Sequence, residues 1–249
     1  WWIYGGDGLR GELGLNSSQG PTLSPEEPAP VTGSALADTL TGTAAGETLA
    51  GYGGDDTLTG GGGNDRIEGG EGIDTARYTG TRGDYRLAEG DGGRSVMDLR
   101  GGAPEGTDTL VSVERLAFAD TSLALDLDGN AGMVARTLGA VFGAESVANP
   151  GFVAIGLDLA DDGMGFEALM GFALEARLGA GYATAAAVDL LYENLVGFGP
   201  SPTDRDYWVS TVEQGRYDHA SLGVMAAELE LNAANIDLAG LAATGLAFG

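Results

Sequence analysis

Hydrophobic and polar positions follow three different patterns along the chain. From Gly33 to Arg77, an aliphatic residue recurs once every nine positions in a glycine-rich, acidic background. Between residues 84 and 118, apolar and polar positions alternate as they do in half-buried β-strands. From Ala131 onward, Ala, Leu, Met and Phe recur at the three-to-four-residue spacing of amphipathic helices. This order predicts a repetitive β region, then covering strands, then a helical region.

The repetitive region divides into five consecutive rows of nine residues, with no insertion between them. The rows begin at Gly33, Gly42, Gly51, Gly60 and Gly69. Position six is always acidic, in order Asp38, Glu47, Asp56, Asp65 and Asp74, and position eight is always aliphatic. A flexible glycine-rich linker has no reason to keep acidic and aliphatic residues in phase. The columns therefore predict an ordered stack of turns and short strands.

The residue types in these rows suit calcium. Glycine lets the backbone take positive φ angles and turn its carbonyl oxygens inward, and carbonyl and carboxylate oxygens are the hard ligands that calcium takes. The motif G-G-x-G-x-D-x-U-x, with U a large apolar residue, is the calcium-binding nonapeptide of RTX proteins. The rows from Gly60 and Gly69 match it closely, the row from Gly51 nearly so, and the first two are degraded. The stretch thus resembles the RTX (repeats-in-toxin, haemolysin-type) family.

The resemblance implies a parallel β-roll in which two rows make one turn and each calcium lies between equivalent turns two rows apart. The implied ligands are Asp38, Gly51, Gly53, Asp56, Gly60, Gly62, Asp65, Gly69, Glu71 and Asp74. Asp38, Asp56 and Asp74 would line one edge, with Glu47 and Asp65 on the other. Asp38 can equally be a cap, because its row lacks two of the glycines. A site at Glu47 is open for the same reason.

The composition also favours a protein that binds cations. The chain has 37 acidic residues against 12 arginines and no lysine, and a formal net charge of -25 on 249 residues. Such a chain repels nucleic acid and anionic membranes, and bound cations relieve its self-repulsion. It has no cysteine, so disulfides and thiolate chemistry are excluded. No apolar stretch approaches the roughly 18 residues needed to span a bilayer.

The organisation predicted from these patterns has three parts: residues 1–32, 33–125 and 126–249. The first part opens with Trp1 to Tyr4, which we expect to pack against this chain or another domain, and includes a Pro-rich linker at 21–30. Because no initiator Met or signal-peptide pattern opens the chain, we expect a processed form or the end of a longer protein.

The strands after the rows are expected to cap the roll. Residues 84–87 and 95–99 flank an acidic glycine turn and predict a hairpin. The stretch GTDTLVSVERLAFAD, from Gly106, is similar to the strands that commonly end RTX rolls. Its Asp108 can be one more ligand or a plain turn residue. The stretch DLDGNAG at 126–132 begins like an EF-hand loop but lacks the required Gly and Glu, which favours a turn and helix start.

The helical region predicts two copies of a three-helix unit, offset by about 53 residues, with Asn149 and Ser201 capping helices that begin with Pro. Residues 190–215 resemble the family catalogued as domain of unknown function 4214, which often follows RTX repeats in secreted bacterial proteins. The expected fold class is therefore a multidomain α and β protein, with a calcium-binding parallel β-roll and capping strands, then an all-α domain of two three-helix repeats.

We expect no enzyme activity from these residues. The one histidine, His219, excludes an H-E-x-x-H zinc site, and no G-x-S-x-G motif occurs. His219 is expected in a solvated or capping role at a helix start, and the aromatic residues Tyr192, Tyr207 and Trp208 are expected in the core.

Two functions stay open at this point. The first is a secreted, calcium-binding structural or surface protein, extracellular or on the bacterial cell surface. Its helical domain would join copies of the chain or attach it to a cell-surface partner. The second is the carboxyl-terminal secretion and folding module of a larger exported enzyme, such as a peptidase or a polysaccharide-modifying enzyme. The RTX resemblance implies type I secretion with an uncleaved carboxyl-terminal signal in either case.

Overall fold

The computed structural model describes residues 28–90 and 92–249. The expected packing of Trp1 to Tyr4 and most of the Pro-rich linker lie outside these residues. The first described strand, β1 (Val31–Thr32), pairs in parallel with residues Leu49 and Ala50.

The nine-residue rows form two parallel sheets. Their strands are β2 (Thr39–Thr41), β3 (Thr48–Gly53), β4 (Thr57–Thr59), β5 (Arg66–Glu71) and β6 (Thr75–Arg77). Successive strands alternate between the sheets, so β2, β4 and β6 lie in one, and β1, β3 and β5 in the other. Thr39 pairs with Thr57 and Thr57 with Thr75, which is the two-row register expected of a roll.

The core of the roll is the aliphatic column. Leu49, Leu58, Ile67 and Ala76 are fully buried between the two sheets, and Leu40 at the first row is nearly so. Position eight is the middle residue of each three-residue strand in β2, β4 and β6, which sends its side chain inward while its neighbours point outward. The aliphatic column therefore forms the apolar interior of the predicted stack of turns and short strands.

Four further strands cover the end of the stack. The predicted hairpin is confirmed as β7 (Tyr85–Gly90) and β8 (Gly93–Asp98), which pair antiparallel. β9 (Thr107–Val111) extends one sheet in parallel beside β5, and β10 (Arg115–Ala117) extends the other beside β6. Three stacked or tilted aromatic rings, Tyr78, Tyr85 and Phe118, fill the core here, with centroids 5.1 to 5.7 Å apart.

Eight α-helices follow in the part of the chain that the structure describes. They are α1 (Asn130–Phe142), α2 (Pro150–Asp161), α3 (Phe166–Leu178), α4 (Thr184–Val196), α5 (Pro202–Glu213), α6 (His219–Ala227), α7 (Glu230–Asn235) and α8 (Leu238–Thr244). Both predicted caps are confirmed: Asn149 accepts from the backbone N–H groups of Gly151 and Phe152, and Ser201 accepts from that of Asp204. None of the described helices is long and apolar enough to cross a membrane.

The stretch DLDGNAG is a turn followed by a helix, as the sequence favoured. Gly129 precedes the first residue of α1, and Asp126 forms an ion pair with Arg115. The Asp126 carboxylate is therefore committed to an arginine of β10.

The end of the chain differs from the sequence-based expectation. Residues 236–248 were expected to belong to the helical region, but β12 (Leu246–Phe248) pairs antiparallel with β11 (Ser122–Ala124) in the second sheet of the roll. Leu246 is fully buried. β11 would otherwise be an edge strand with unpaired backbone groups, and the chain's last residues satisfy it.

Candidate metal centre

The acidic residues of the rows form two hydrogen-bonded ladders along the roll. In each ladder, one carboxylate oxygen accepts the backbone N–H of the acid two rows earlier. The first ladder joins Asp38 to Asp56 (2.7 Å), Asp56 to Asp74 (2.9 Å) and Asp74 to Glu114 (2.9 Å). The second joins Glu47 to Asp65 (2.8 Å) and Asp65 to Asp108 (2.9 Å). In the folded roll, the backbone thus fixes the orientation of each carboxylate.

The second oxygen of three of these carboxylates is left over. The Oδ2 atoms of Asp56, Asp65 and Asp74 are buried and have no hydrogen-bond partner among the described residues. A buried carboxylate oxygen without a partner carries an uncompensated desolvation cost. A bound cation removes that cost, so the donor set of these three rows fits a metal ion.

Glycine at the first position of these rows leaves space for the free oxygens. A Cβ atom on Gly51 would lie 2.0 Å from Asp56 Oδ2 and 2.5 Å from the carbonyl oxygen of Gly69. A Cβ atom on Gly60 would lie 2.3 Å from Asp65 Oδ2. Any other residue would fill the space where a carboxylate and a carbonyl oxygen converge. Both are oxygen ligands that calcium accepts.

The three rows with free oxygens share a turn conformation. Positions two and four have positive φ in each: Tyr52 (77°) and Gly54 (87°), Gly61 (97°) and Gly63 (99°), Gly70 (122°) and Gly72 (127°). In the two degraded rows, positions two and four do not have positive φ. The glycines therefore mark a real change of backbone path between the second and third rows.

The degraded rows satisfy their own carboxylates. The backbone N–H and the hydroxyl of Ser34 donate to Asp38 Oδ2, at 2.7 and 2.8 Å. The backbone N–H of Thr43 donates to Glu47 Oε2 at 3.2 Å, and its hydroxyl donates to Oε1. Ser34 and Thr43 occupy position two, where the intact motif has glycine. The structure thus places Asp38 where the sequence allowed it to be a cap.

Burial without a counter-charge shifts the acidity of the ladder. Desolvation, together with Glu114 and Asp56 nearby, raises the pKa of Asp74 to about 6. Desolvation also raises the pKa of Asp108, to about 7, with Asp65 adding to the shift. Such shifts indicate carboxylates held close together in a dry environment. A divalent cation beside them would favour the charged form.

The predicted ligands Gly53, Gly62 and Glu71 take part in backbone pairing between rows. Gly53 and Glu71 are paired across β3 and β5, and the Glu71 side chain is exposed. The N–H of Gly62 donates to the carbonyl of Thr43 at 2.8 Å. Within residues 28–90 and 92–249, no three acidic or histidine side chains converge into a ready-made metal cluster. At the turn that begins with Gly51, a carboxylate oxygen and a backbone carbonyl oxygen converge, and both are ligands that calcium accepts.

Glu114 was missed by sequence reasoning, and Asp108 was left open. Both continue a ladder beyond the fifth row, because Thr75 pairs with Arg115 and Arg66 with Thr109. The spacing between Asp108 and Glu114 is shorter than nine residues, so Glu114 does not fall at position six of a nine-residue row. The signal that remains is an acid two residues before a buried aliphatic residue, as in Asp74 and Ala76.

The aromatic and histidine positions are only partly as expected. Tyr207 is 55% exposed, so its placement in the core was wrong. Tyr207 and its neighbour Asp206 are both exposed residues of α5, and the Tyr207 ring packs edge-on against Trp208. Trp208 is half-buried and its indole N–H donates to the Tyr192 hydroxyl at 3.3 Å. His219 begins α6 and its Nε2 lies 2.9 Å from the Thr184 hydroxyl.

Comparison with known proteins agrees with the ladder geometry. Residues 41–76 match the family model of the RTX calcium-binding nonapeptide repeat, in four copies. The repeats of this chain are thus of a calcium-binding, non-catalytic type, and calcium is the ion they bind. No curated protein matches the chain.

One solved structure that matches part of the chain is that of the extracellular lipase LipA from Serratia marcescens. The identity is 21% and the TM-score 0.35, over 41% of this chain. The chain spans 18% of the length of that lipase.

Proposed function

We propose that this chain is a secreted protein whose roll folds when it binds calcium outside the cell, and whose helical part attaches it to a partner. The observation that carries the proposal is that the buried Oδ2 atoms of Asp56, Asp65 and Asp74 have no hydrogen-bond partner within residues 28–90 and 92–249. Repeats of the matched type are typical of secreted proteins. The proposed ligands are the carboxylates of these three residues, with carbonyl oxygens from the glycine turns that begin at Gly51, Gly60 and Gly69.

Energetics support a need for calcium. Ordering a residue costs about 1–2 kcal/mol of backbone entropy, and glycine loses the most freedom. Burying an aliphatic side chain returns roughly 0.8 kcal/mol per CH₂ group. The five aliphatic positions of the rows are too few to offset the ordering of 45 residues, and the acidic ladders add repulsion. Calcium supplies the missing attraction.

The helical part is proposed to be an internal repeat. α1 and α4 each span 13 residues, α2 and α5 each span 12, and the corresponding helices begin about 53 residues apart. We interpret α1–α3 and α4–α6 as two copies of one unit, resembling the domain of unknown function 4214. Type I secretion and placement on the cell surface belong to this proposal as well.

Circular dichroism of the full chain tests the calcium requirement. In chelator we expect the β signal of the roll to be lost, and in millimolar calcium we expect it to form. Magnesium at the same concentration is the control, because its small octahedral shell does not suit carbonyl-rich sites. A β signal that is unchanged in chelator would contradict the proposal.

A further inference from the structure

The helical part carries two apolar clefts at corresponding places in its two halves. The α4–α6 cleft has a volume of about 340 Å³ and lies between Val188 and Leu195 of α4, Leu222 of α6 and Leu229 beyond it. The α1–α3 cleft, of about 280 Å³, lies between Val134 of α1, Ile155 of α2 and the α3 residues Leu169 and Phe172. Val134 and Leu169 correspond to Val188 and Leu222 at the offset of about 53 residues.

Exposed apolar side chains concentrate at these clefts. Val196, Leu229 and Leu231 at the α4–α6 cleft are 41 to 45% exposed. Phe152, Ile155 and Phe172 at the α1–α3 cleft are 42 to 55% exposed. Large apolar patches on a soluble protein mark interaction sites. Their recurrence in both halves indicates a shared use.

The open shape of the clefts favours a polypeptide over a small ligand. Small-molecule sites enclose roughly 70–90% of their ligand, whereas the buried floor of the α4–α6 cleft is bordered by Val196, Leu229 and Leu231, which are 41 to 45% exposed. Its volume suits one or two large side chains. An amphipathic helix fills such a groove with an apolar stripe and covers the rim with its own backbone and polar side chains.

The charge of the helical part indicates which kind of partner helix it binds. Residues 126–249 hold 17 acidic residues and four arginines. Glu193 and Glu230 are exposed, lie next in sequence to residues that line the α4–α6 cleft, and form no ion pair within the part of the chain the structure describes. A second copy of this chain or an anionic bilayer would bring like charge to this surface. A basic partner brings the opposite charge.

We propose that the α4–α6 cleft docks a basic amphipathic helix of a partner protein, and that the α1–α3 cleft receives an equivalent apolar anchor. This inference rests on the proposed attachment function and names the chemistry of its partner. Leucine-type side chains of the partner enter the cleft, while its lysines or arginines face Glu193 and Glu230.

The test uses the full chain in saturating calcium and two 18-residue peptides with the same leucine stripe. One peptide carries lysines on its polar face and the other carries glutamates. By calorimetric titration we expect the lysine peptide to bind at least tenfold more tightly, and less tightly at 0.5 M than at 0.15 M salt. Equal affinity of the two peptides, or binding of neither, would overturn the proposal.

Variants locate the binding. Leu229→Gln combined with Leu231→Gln should weaken the lysine peptide at least tenfold, whereas Leu99→Gln, at an exposed leucine of the roll, should leave its affinity unchanged. Glu193→Gln combined with Glu230→Gln should reduce both the affinity and its salt dependence. Unchanged affinity in the double leucine variant would count against the cleft.

The same samples separate this inference from the proposed function. A calcium-dependent β signal together with absent peptide binding defeats the docking proposal alone. A β signal independent of calcium defeats the proposed function. Sedimentation without peptide tests whether a second copy of the chain occupies the cleft. A dimer that the double leucine variant abolishes would assign the cleft to a second copy and overturn the proposal of a basic partner.

Discussion

The backbone N–H of Asp56 donates a 2.9 Å hydrogen bond to one carboxylate oxygen of Asp74, and the other oxygen of Asp74 is buried with no partner among the described residues. This relationship fixes the orientation of the carboxylate through the backbone of a neighbouring turn. In the folded roll, it therefore leaves the other oxygen of Asp74 available to a cation.

Asp56→Ala and Asp74→Ala should each weaken calcium binding at least tenfold, which corresponds to about 1.4 kcal/mol. Asp38→Ala should weaken it less than threefold, because Ser34 already donates to the Asp38 carboxylate. Calorimetric titration with calcium measures all three. Asp74→Asn is the matched control, since the amide oxygen can still accept from Asp56 but the charge is lost. Equal losses at the three alanine positions would place the sites elsewhere.

Tyr52→Gly should stabilise the calcium-bound chain by about 1 kcal/mol. Tyr52 has a positive φ of 77°, which costs a non-glycine residue about 1–2 kcal/mol, and its side chain is 60% exposed, so little packing is lost. Thermal unfolding in saturating calcium measures the change. Tyr52→Val is the comparison and should lower the melting temperature, because a β-branched side chain tolerates this backbone least. A lower melting temperature for Tyr52→Gly would show that the backbone of Tyr52 is not strained in the folded chain.

Asp98 should contribute stability that is lost in acid. The guanidinium of Arg100 donates to both Asp98 oxygens at 2.9 to 3.0 Å, and the N–H of Glu105 donates to one, which lowers the pKa of Asp98 to about 2. Since the unfolded chain has a pKa near 3.9, this stability is fully present above about pH 4 and is lost as the pH falls toward 2.

Urea unfolding of the parent and of Asp98→Asn at several pH values checks this expectation. We expect Asp98→Asn to cost about 3 kcal/mol at neutral pH, because the side chain is buried and Arg100 keeps only Glu105 as a charged partner. The difference between the two proteins should shrink between pH 4 and 2. A difference that stays constant over that interval would exclude Asp98 as its source.

Arg115 should hold the roll and the helical part together. It is 4% exposed, forms an ion pair with Asp126, and donates to both Asp161 oxygens of α2 at 2.7 and 2.9 Å. Arg115→Met leaves two carboxylates without their cation, and we expect a loss of about 3 kcal/mol in the free energy of unfolding.

Arg66→Met is the matched control for Arg115. Arg66 pairs with Glu68 at 2.5 Å, but both side chains are about 40% exposed, so its removal should cost less than about 1 kcal/mol. Urea unfolding is measured for both variants, with the β signal and the helical signal recorded separately. This also tests whether Arg115 couples the unfolding of the roll to that of the helical part. Equal costs for the two variants would show that burial of Arg115 does not matter.

The roll could be predicted largely from the sequence because its information is local and repeated. A glycine, an acid and an aliphatic residue in each row specify a turn, an oxygen ligand and an inward side chain, so Asp56 and Leu58 follow from their positions in the row. The helix starts at Pro150 and Pro202 were predictable for the same reason, since Asn149 and Ser201 cap them through adjacent backbone groups.

Contacts between distant segments were decided by the tertiary structure. Glu114 joins the ladder because β10 pairs beside β6, and a shortened turn removes the nine-residue spacing that would reveal it. Leu246 lies in a strand and not in a helix, because β11 has an open edge with which β12 pairs. Tyr207 lies at the surface because α5 turns Trp208, Val209 and Val212 toward the helical core instead. In each case the residue's own neighbours in sequence are compatible with more than one environment, and only the packing of elements far apart in the chain selects one.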